Sequence, residues 1–240
     1  MAMIECKSAS FAYDGKTVLD NINFQVKAGD YLCIVGENGS GKTTLMNGLL
    51  GLMRPKTGEI IFGDGLKSTQ IGYLPQQNSA HKNFPASVYE VVISGRLNSR
   101  GLLPFYSKTD KLVAQNIMDK LGILPLRKKS FIELSGGQQQ RALLGRAMCA
   151  TKKALLLDEP ATGLDPLVTR ELYSTIQSLS SEMGITIIMI SHDVRAAVEY
   201  ASHILHLKSR QAFFGTTEDY KQTPIGKNFL SGGEEHDGIL

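Results

Sequence analysis

"YLCIVGENGSGKTT", residues 31–44, joins a continuous apolar run to a glycine-rich turn. The apolar run at 31–35 is typical of a strand covered on both faces, and residues 42–52 have the pattern of a helix. The turn between them fits G-x-x-x-x-G-K-T over residues 36–43, in the strand–turn–helix context that this motif requires. Its backbone N–H groups converge, and the helix N-terminus adds roughly half a positive charge. We therefore predict that residues 36–43, called the phosphate loop below, bind phosphate groups.

Two side chains of the phosphate loop have chemistry suited to a nucleoside triphosphate. Lys42 can reach the β- and γ-phosphate oxygens, and the hydroxyl of Thr43 can ligate Mg²⁺. The alternative is a structural glycine turn that binds nothing, and the strand before it and the helix after it argue against that alternative.

A second segment, "ALLLDEP" at residues 154–160, supplies two carboxylates. Its apolar residues predict a buried strand, so Asp158 emerges at the carboxyl end, where open parallel sheets bind ligands. A carboxylate in that place can hold a metal ion directly or through water. Glu159, one residue further, is suited to orienting or deprotonating a water molecule that attacks a phosphate.

A third apolar run, "ITIIMI" at residues 185–190, is followed by Ser191 and His192. If this strand lies near the other two, His192 faces the same region and could contact the γ-phosphate or the attacking water. A single histidine after a strand is more often an ordinary loop residue. The prediction for His192 therefore depends on the two other segments.

The rest of the chain predicts one α/β domain over residues 1–225. Alternating patterns at 4–13 and 22–26 predict antiparallel strands with one wet face, and helical periodicity dominates over 77–150. After residue 151, strands alternate with helices, which indicates a parallel α/β core formed by 1–76 and 151–225 with an inserted helical lobe. The polar, glycine-rich residues of 226–240 predict a loosely ordered tail.

Composition excludes several classes of protein. The formal net charge is only +3 and no long Lys/Arg run occurs, so a nucleic-acid partner is not indicated. The longest apolar runs are far shorter than the roughly 20 residues that span a bilayer, and the N-terminus does not resemble a secretory signal. Cys6, Cys33 and Cys149 are widely spaced and odd in number, which predicts reduced, buried thiols.

The segment "LSGGQ", residues 134–138, identifies a resemblance. In the order "GENGSGKTT", "LSGGQ", "LLLDEP" and "SHD", the chain resembles the ATP-binding subunit of ABC transporters from about residue 3 to residue 220. The resemblance implies a P-loop ATPase fold of α/β class, with a mostly parallel sheet, an N-terminal antiparallel β subdomain and an inserted helical subdomain. "LSGGQ" is called the signature below.

The resemblance also implies where ATP lies. Two copies of the chain would pack head to tail, with each ATP held between the phosphate loop of one copy and the signature of the other. A helix beginning at the signature would direct free N–H groups toward the partner's γ-phosphate, which is the same physics as in the phosphate loop. The implied signature contacts are Ser135, Gly136, Gly137 and Gln138.

Other roles follow from the resemblance residue by residue. Tyr13 would stack on adenine, Asp165 would couple the two sites of the dimer, and Gln76 would contact Mg²⁺ and sense the γ-phosphate, with the neighbouring Gln77 as the alternative. Lys42, Gln76, Glu159 and His192 would form the catalytic set, and Thr43, Gln76 and Asp158 would hold Mg²⁺. The predicted ATP contacts are Tyr13, Gly36, Asn38, Gly39, Ser40, Gly41, Lys42, Thr43 and Thr44.

The resemblance further implies membrane partners. The segment "NFPASVYEVVISGR", residues 83–96, would receive a short helix of an integral membrane permease, which places the chain peripherally on the cytoplasmic face of the membrane. That segment and "ASHILHLKSRQAFFG", residues 201–215, look most like importers of zinc or manganese that work with an extracytoplasmic binding protein. Importers of iron chelates or cobalamin, and a soluble ABC protein without a transport role, are the alternatives. His81, His203, His206 and His236 are expected to be structural or solvated.

Overall fold

Two sheets organise the computed structural model, which describes residues 2–63, 65–67, 70–76, 85–99, 105–151 and 153–231. An antiparallel sheet has the order β2-β1-β4, and a larger sheet has the order β5-β6-β7-β3-β8-β9. In the larger sheet the pairs from β5 to β8 are parallel, and β9 joins antiparallel at the edge. The strands are β1 (Ala2–Tyr13), β2 (Lys16–Lys27), β3 (Tyr31–Val35), β4 (Thr57–Phe62), β5 (Gly72–Leu74), β6 (Ala154–Asp158), β7 (Thr186–Ile190), β8 (His203–Leu207) and β9 (Gln211–Thr216).

Helices lie around the larger sheet and form the inserted lobe. The helices are α1 (Lys42–Leu49), α2 (Val88–Ser94), α3 (Lys108–Lys120), α4 (Gly136–Ala150), α5 (Pro166–Ser181), α6 (Val194–Tyr200), α7 (Thr217–Gln222) and α8 (Pro224–Ser231), with 3₁₀ turns at Gly95–Ser99, Leu124–Leu126 and Phe131–Glu133. Among the described residues, no helix is both long and apolar enough to cross a bilayer. The predicted fold class is confirmed.

The larger sheet is buried on both faces, as the apolar runs predict. Along β3, Cys33 and Val35 contribute to a core shared with the helical lobe, whereas Leu32 and Ile34 contribute to a core shared with the antiparallel sheet. Strands β6 and β7 divide their side chains in the same way. Polar side chains that follow these strands must therefore emerge at the strand ends.

The register of the parallel strands brings three strand ends together. Asp158 at the end of β6 is paired with Ile190 at the end of β7, and Ile34 of β3 is paired with the same residue. The phosphate loop, the two carboxylates and His192 thus all leave one edge of the sheet. This arrangement confirms the condition on which the prediction for His192 depended.

The helical lobe contains α2, α3 and α4, and each of these helices begins with a capping box. Ser87, Ser107 and Ser135 cap these helices, and in each case the side chain three residues later accepts a hydrogen bond from the N-cap backbone. The apolar faces of the three helices meet in one core around Val92, Ala114 and Leu144. Parts of the region predicted as lobe, residues 77–84 and 100–104, lie outside the described residues.

The predicted tail is wrong over its first residues. Residues 226–231 belong to α8, whose Ile225 and Phe229 are four residues apart and pack on the core shared with the lobe. The ring of Phe229 meets that of His206 edge to face, with 4.6 Å between the ring centroids. The polar composition beyond residue 231 obscured this short amphipathic helix. Residues 232–240 lie outside the described residues.

Two side-chain predictions concern buried polar groups. His206 is fully buried on β8, and its Nδ1 lies 2.8 Å from the Tyr220 hydroxyl of α7, so it is structural as predicted. The three cysteines are free and buried, and burial raises the pKa of the Cys6 thiol to about 12. Both features belong to the core and leave the edge of the sheet to the polar residues of the site.

We predict that Tyr220→Phe destabilises the fold. The change keeps the ring but removes the hydroxyl that pairs with the buried His206, and an unsatisfied buried polar group costs about 1–3 kcal/mol. Equilibrium urea denaturation without nucleotide measures the free energy of unfolding. Tyr13→Phe is the control because that tyrosine is half exposed at the end of β1 and its loss should change stability by less than about 0.5 kcal/mol. Equal effects of the two changes would contradict the structural role of the His206 pair.

Candidate functional site

The backbone of the phosphate loop has positive φ values, which favour glycine, at three positions. Gly36, Gly39 and Gly41 have φ values of 146°, 80° and 96°. A Cβ at Gly36 would collide with the Leu207 carbonyl oxygen, and one at Gly41 would collide with the Leu19 side chain. The chain is therefore held close to β8 and β2 while its amides turn toward the start of α1. Because no side chain of the described residues caps this helix, its first N–H groups can bind an anion.

Lys42 lies inside the phosphate loop. Its Nζ donates hydrogen bonds of 2.8 Å to the carbonyl oxygens of Gly36 and Glu37, and the residue is only 6% exposed. Burial lowers the pKa of this ammonium group, and the negative charges of Glu159 and Asp158 oppose that effect. The ammonium group is therefore poorly hydrated and close to the carboxylates, as expected of a group that neutralises phosphate charge.

The loop also contains a polar group that suits a phosphate. Ser40 Oγ is buried and has no hydrogen-bond partner among the described residues. Such a hydroxyl is costly unless something accepts from it or donates to it. Together with the uncapped helix start and the buried ammonium, it shows that the residues present fit a polyphosphate. Thr43 is exposed at the mouth of the loop, and Thr44 is buried behind it.

Asp158 ends β6 in a nearly buried position. It is 7% exposed, and the Tyr73 hydroxyl of β5 lies 3.5 Å from its Oδ2. Burial and the neighbouring charge of Glu159 raise the pKa of the carboxyl group. A hard divalent cation would relieve both effects because it favours the ionised form. The donor set of Asp158 and the exposed Thr43 hydroxyl, both oxygens, suits Mg²⁺.

Glu159 occupies a strained turn after β6. Its φ of 48° lies in the left-handed region, which costs a non-glycine residue about 1–3 kcal/mol, and its N–H donates to the Ile190 carbonyl at 3.1 Å. The side chain receives Gln76 Nε2 at 2.7 Å and Thr162 Oγ1 at 3.2 Å on one oxygen, and it pairs with His192 Nε2 through the other. The structure therefore brings three predicted catalytic residues, Gln76, Glu159 and His192, into one hydrogen-bonded cluster. Lys42 is close enough for the charge of Glu159 to affect its pKa.

Two residues that contact the carboxylates of Asp158 and Glu159 were not predicted. Thr162 folds back onto Glu159 in a tight turn, in which its own N–H donates to the Glu159 carbonyl at 3.2 Å. Tyr73 lies on β5 opposite Leu156 of β6 and thus beside Asp158. Thr162 stands close to the carboxylates in sequence and could have been suspected from its hydroxyl. Tyr73 could not, because only the pairing of β5 with β6 places it there.

The signature forms a second, separate group. Ser135 caps α4: its Oγ accepts a hydrogen bond from the backbone N–H of Gln138 at 3.4 Å, and its own backbone N–H donates to Gln138 Oε1 at 3.1 Å. The helix begins at Gly136, and a Cβ at Gly137 would collide with the Val168 side chain. No hydrogen bond or ion pair of the described residues joins this group to the phosphate loop. The structure therefore does not bring the two predicted ATP-binding elements of one chain into direct contact.

Two further predicted residues lie apart from the carboxylate cluster. Tyr13 ends β1 and is 48% exposed, which leaves its ring open to a planar ligand. Asp165 is exposed and caps α5, with its Oδ1 accepting from the Val168 amide at 3.0 Å. Their predicted roles toward adenine and in dimer coupling stay predictions. Gln77 lies outside the described residues.

The sequence of this chain is similar to those of known proteins over most of its length. The ABC transporter family matches residues 19–162, which include the phosphate loop, the signature and both carboxylates. The manganese transport system ATP-binding protein MntB of Bacillus subtilis is 38% identical over 222 residues, covering 91% of this chain and 88% of the relative. The zinc transport system ATP-binding protein AdcC of Streptococcus pneumoniae is 35% identical over 215 residues, covering 88% of this chain and 92% of the relative.

A solved structure gives the same result for the fold. A chain of an ABC transporter described as metal-chelate type, in an inward-facing conformation, superposes with a TM-score of 0.85. It is 31% identical, and the match covers 97% of this chain and 90% of the other. On the family match, the two relatives and this structure, the chain belongs to the ABC transporter family, in which it is an ATP-hydrolysing subunit.

Proposed function

We propose that this subunit powers the import of manganese or zinc ions through separate membrane subunits. The assignment of manganese or zinc as the cargo rests on one observation: relatives that match nearly the whole chain are named for manganese and zinc transport. In this proposal the ion is cargo that passes through the membrane partners. The residues of this chain act on ATP.

ATP binding would use the phosphate loop. The loop amides and Lys42 neutralise the β- and γ-phosphates, while the exposed ring of Tyr13 stacks on adenine. Thr43, Gln76 and Asp158 would hold Mg²⁺, which neutralises negative charge on the phosphate oxygens when bound. Support comes from the unpartnered Ser40 hydroxyl, the uncapped start of α1 and the raised pKa of Asp158.

Hydrolysis would depend on Glu159. In this step a water oxygen forms a bond to the γ-phosphorus, the bond to the bridging oxygen of ADP breaks, and the carboxylate of Glu159 orients the water and accepts its proton. His192 lies against the same carboxylate and would steady the γ-phosphate or the water. Gln76 would report the presence of the γ-phosphate because its amide already contacts Glu159.

A second copy of the chain would complete each site. The helix end at Ser135, Gly136 and Gly137 is a further anion-binding terminus that lies apart from the chain's own phosphate loop. Facing the phosphate loop of a partner, it would meet the γ-phosphate, and Asp165 beside it would couple the two sites. Without ATP, two positive helix ends would face each other, so closure needs the nucleotide.

The surface for the membrane subunit would be a groove on the helical lobe. A cavity of about 520 Å³ opens there, and the described part of the segment proposed for this contact, residues 85–96, is helix α2 with its flanks. The cavity is lined by Ala86, Glu90, Val91, Ser94, Phe131, Leu143 and Arg146. The lining of this cavity is largely apolar and contains one acidic and one basic side chain, which suits a short amphipathic helix. The subunit would thus lie on the cytoplasmic face of the membrane, and a binding protein on the opposite face would deliver the ion.

We predict that Glu159→Gln binds ATP but hydrolyses it at least about 100-fold more slowly, since the amide cannot accept the proton. The variant should accumulate as an ATP-stabilised dimer, measured by light scattering beside steady-state phosphate release. Lys42→Ala is the contrasting variant, because it should weaken nucleotide binding itself. Normal turnover by Glu159→Gln would remove Glu159 from its proposed role.

We predict that Ser135→Arg prevents the closed dimer without preventing ATP binding. A long cation at the helix start would occupy the place of the partner's γ-phosphate, and the test is dimer formation with ATP in the Glu159→Gln background. Ser107→Arg is the matched control, since it breaks the same kind of capping box in the same lobe at α3. Dimers that form as readily with Ser135→Arg as with Ser107→Arg would contradict the signature's role.

We predict that cells whose only copy carries Glu159→Gln lose uptake of one labelled ion, either manganese or zinc. The reason is that a subunit arrested with ATP cannot cycle the membrane partners. Uptake of both ions is measured side by side in cells with the intact chain and with the variant. Unchanged uptake of both would contradict the metal cargo while leaving the ATPase assignment in place.

A further inference from the structure

A buried glutamine connects the signature helix to the turn that carries Glu159. Gln140 lies on α4, four residues after Gly136, and is only 1% exposed. Its Nε2 donates a hydrogen bond to the Pro160 carbonyl oxygen. A buried amide in an apolar core is costly unless it is bonded, so this bond fixes the side chain.

The Pro160 carbonyl belongs to the strained turn described above. Glu159, directly before it, has a left-handed backbone, and Thr162, two residues after it, donates to the Glu159 carboxylate. The peptide that carries the Pro160 carbonyl therefore lies between a catalytic carboxylate and a side chain that contacts it. A displacement of that carbonyl would alter the direction in which the carboxylate points.

The beginning of α4 is tied to the same stretch of chain at two more points. Gly137 approaches the Val168 side chain so closely that a Cβ would not fit, and Arg141 forms a 2.6 Å ion pair with Glu171. The first two turns of the signature helix thus contact residues on both sides of Asp165. Among these contacts, the Gln140 bond is the one that reaches the turn beside Glu159.

We infer that Gln140 is a positioning residue, which aligns Glu159 for hydrolysis in response to the engagement of its own chain's signature. The inference rests on the proposed function, since it takes the signature to bind the γ-phosphate of a partner copy. When the signature binds the partner's γ-phosphate, α4 takes a fixed position. The Gln140 hydrogen bond then fixes the Pro160 carbonyl and thereby the orientation of the Glu159 carboxylate. Each ATP would then influence hydrolysis of the other through one buried hydrogen bond.

The chain supplies a matched control in the adjacent residue. Gln139 is also buried, 9% exposed, and its Nε2 donates at 3.2 Å to the Phe131 carbonyl oxygen, which lies within the helical lobe. Both glutamines are therefore amide donors on one helix that bond to a backbone carbonyl. Only the Gln140 bond reaches the turn of Glu159, so a comparison of the two separates positioning from general support of the lobe.

The experiment compares Gln140→Met with Gln139→Met in the full chain. Methionine is unbranched and has similar helix propensity, but it cannot donate a hydrogen bond. For Gln140→Met we expect a fall in kcat of about tenfold to a hundredfold, as misplacement of a reacting group gives, and a KM for ATP within about twofold of the unaltered chain. Dimer formation with ATP in the Glu159→Gln background should persist. Gln139→Met should stay within about threefold in kcat.

Gln140→Leu is measured in the same way, so that the result does not depend on the folding of one variant. A kcat for the Gln140 variants that equals that of the unaltered chain would overturn the inference. Equal losses for Gln139→Met and Gln140→Met, or loss of the ATP-dependent dimer, would overturn it as well. If the unaltered chain itself hydrolyses no ATP and its Glu159→Gln variant forms no dimer, it is the proposed function that fails.

Discussion

The burial of the parallel sheet on both faces is the constraint from which the site follows. Because β3, β6 and β7 are covered on each side, their polar neighbours can only lie beyond the strand ends, and the register places those ends side by side. A lysine and two carboxylates consequently share a confined space. Burial there lowers the pKa of Lys42 and raises that of Asp158, so the charged form of each group is disfavoured. A polyphosphate with a divalent cation is the kind of ligand that satisfies both.

The turn after β6 connects this cluster to the helical lobe. Glu159 has an unfavourable backbone conformation, and the surrounding structure holds it there through the Ile190 carbonyl, Thr162 and the partners of its carboxylate. The same turn is contacted from α4 by Gln140. A rearrangement at the signature can therefore reach the carboxylate through a few hydrogen bonds, which is the route by which the proposed dimer would couple its two ATP sites.

Sequence patterns suffice for the parts of the molecule set by local chemistry. The apolar runs predict β3, β6 and β7, and a glycine-rich turn before a helix predicts the phosphate loop, since its positive-φ backbone favours glycine. Patterns do not suffice where a contact depends on tertiary placement, as for Tyr73 beside Asp158. They also fail at α8, where Phe229 packs on the core and against His206 of β8, contacts that depend on the tertiary fold. The family resemblance adds predicted roles for Tyr13, Asp165 and the signature, which spacing alone does not provide.

In the dimer proposed above, the phosphate loop of one chain meets the signature of another across a bound ATP. The most direct measurement is cross-linking of a chain carrying Asn38→Cys and Ser135→Cys in the Glu159→Gln background, with a short bifunctional thiol reagent. The three natural cysteines are buried and will not compete. We expect a covalent dimer that forms with ATP and does not form when nucleotide is withheld. A cross-link within single chains, or a yield of dimer that does not depend on ATP, would contradict it.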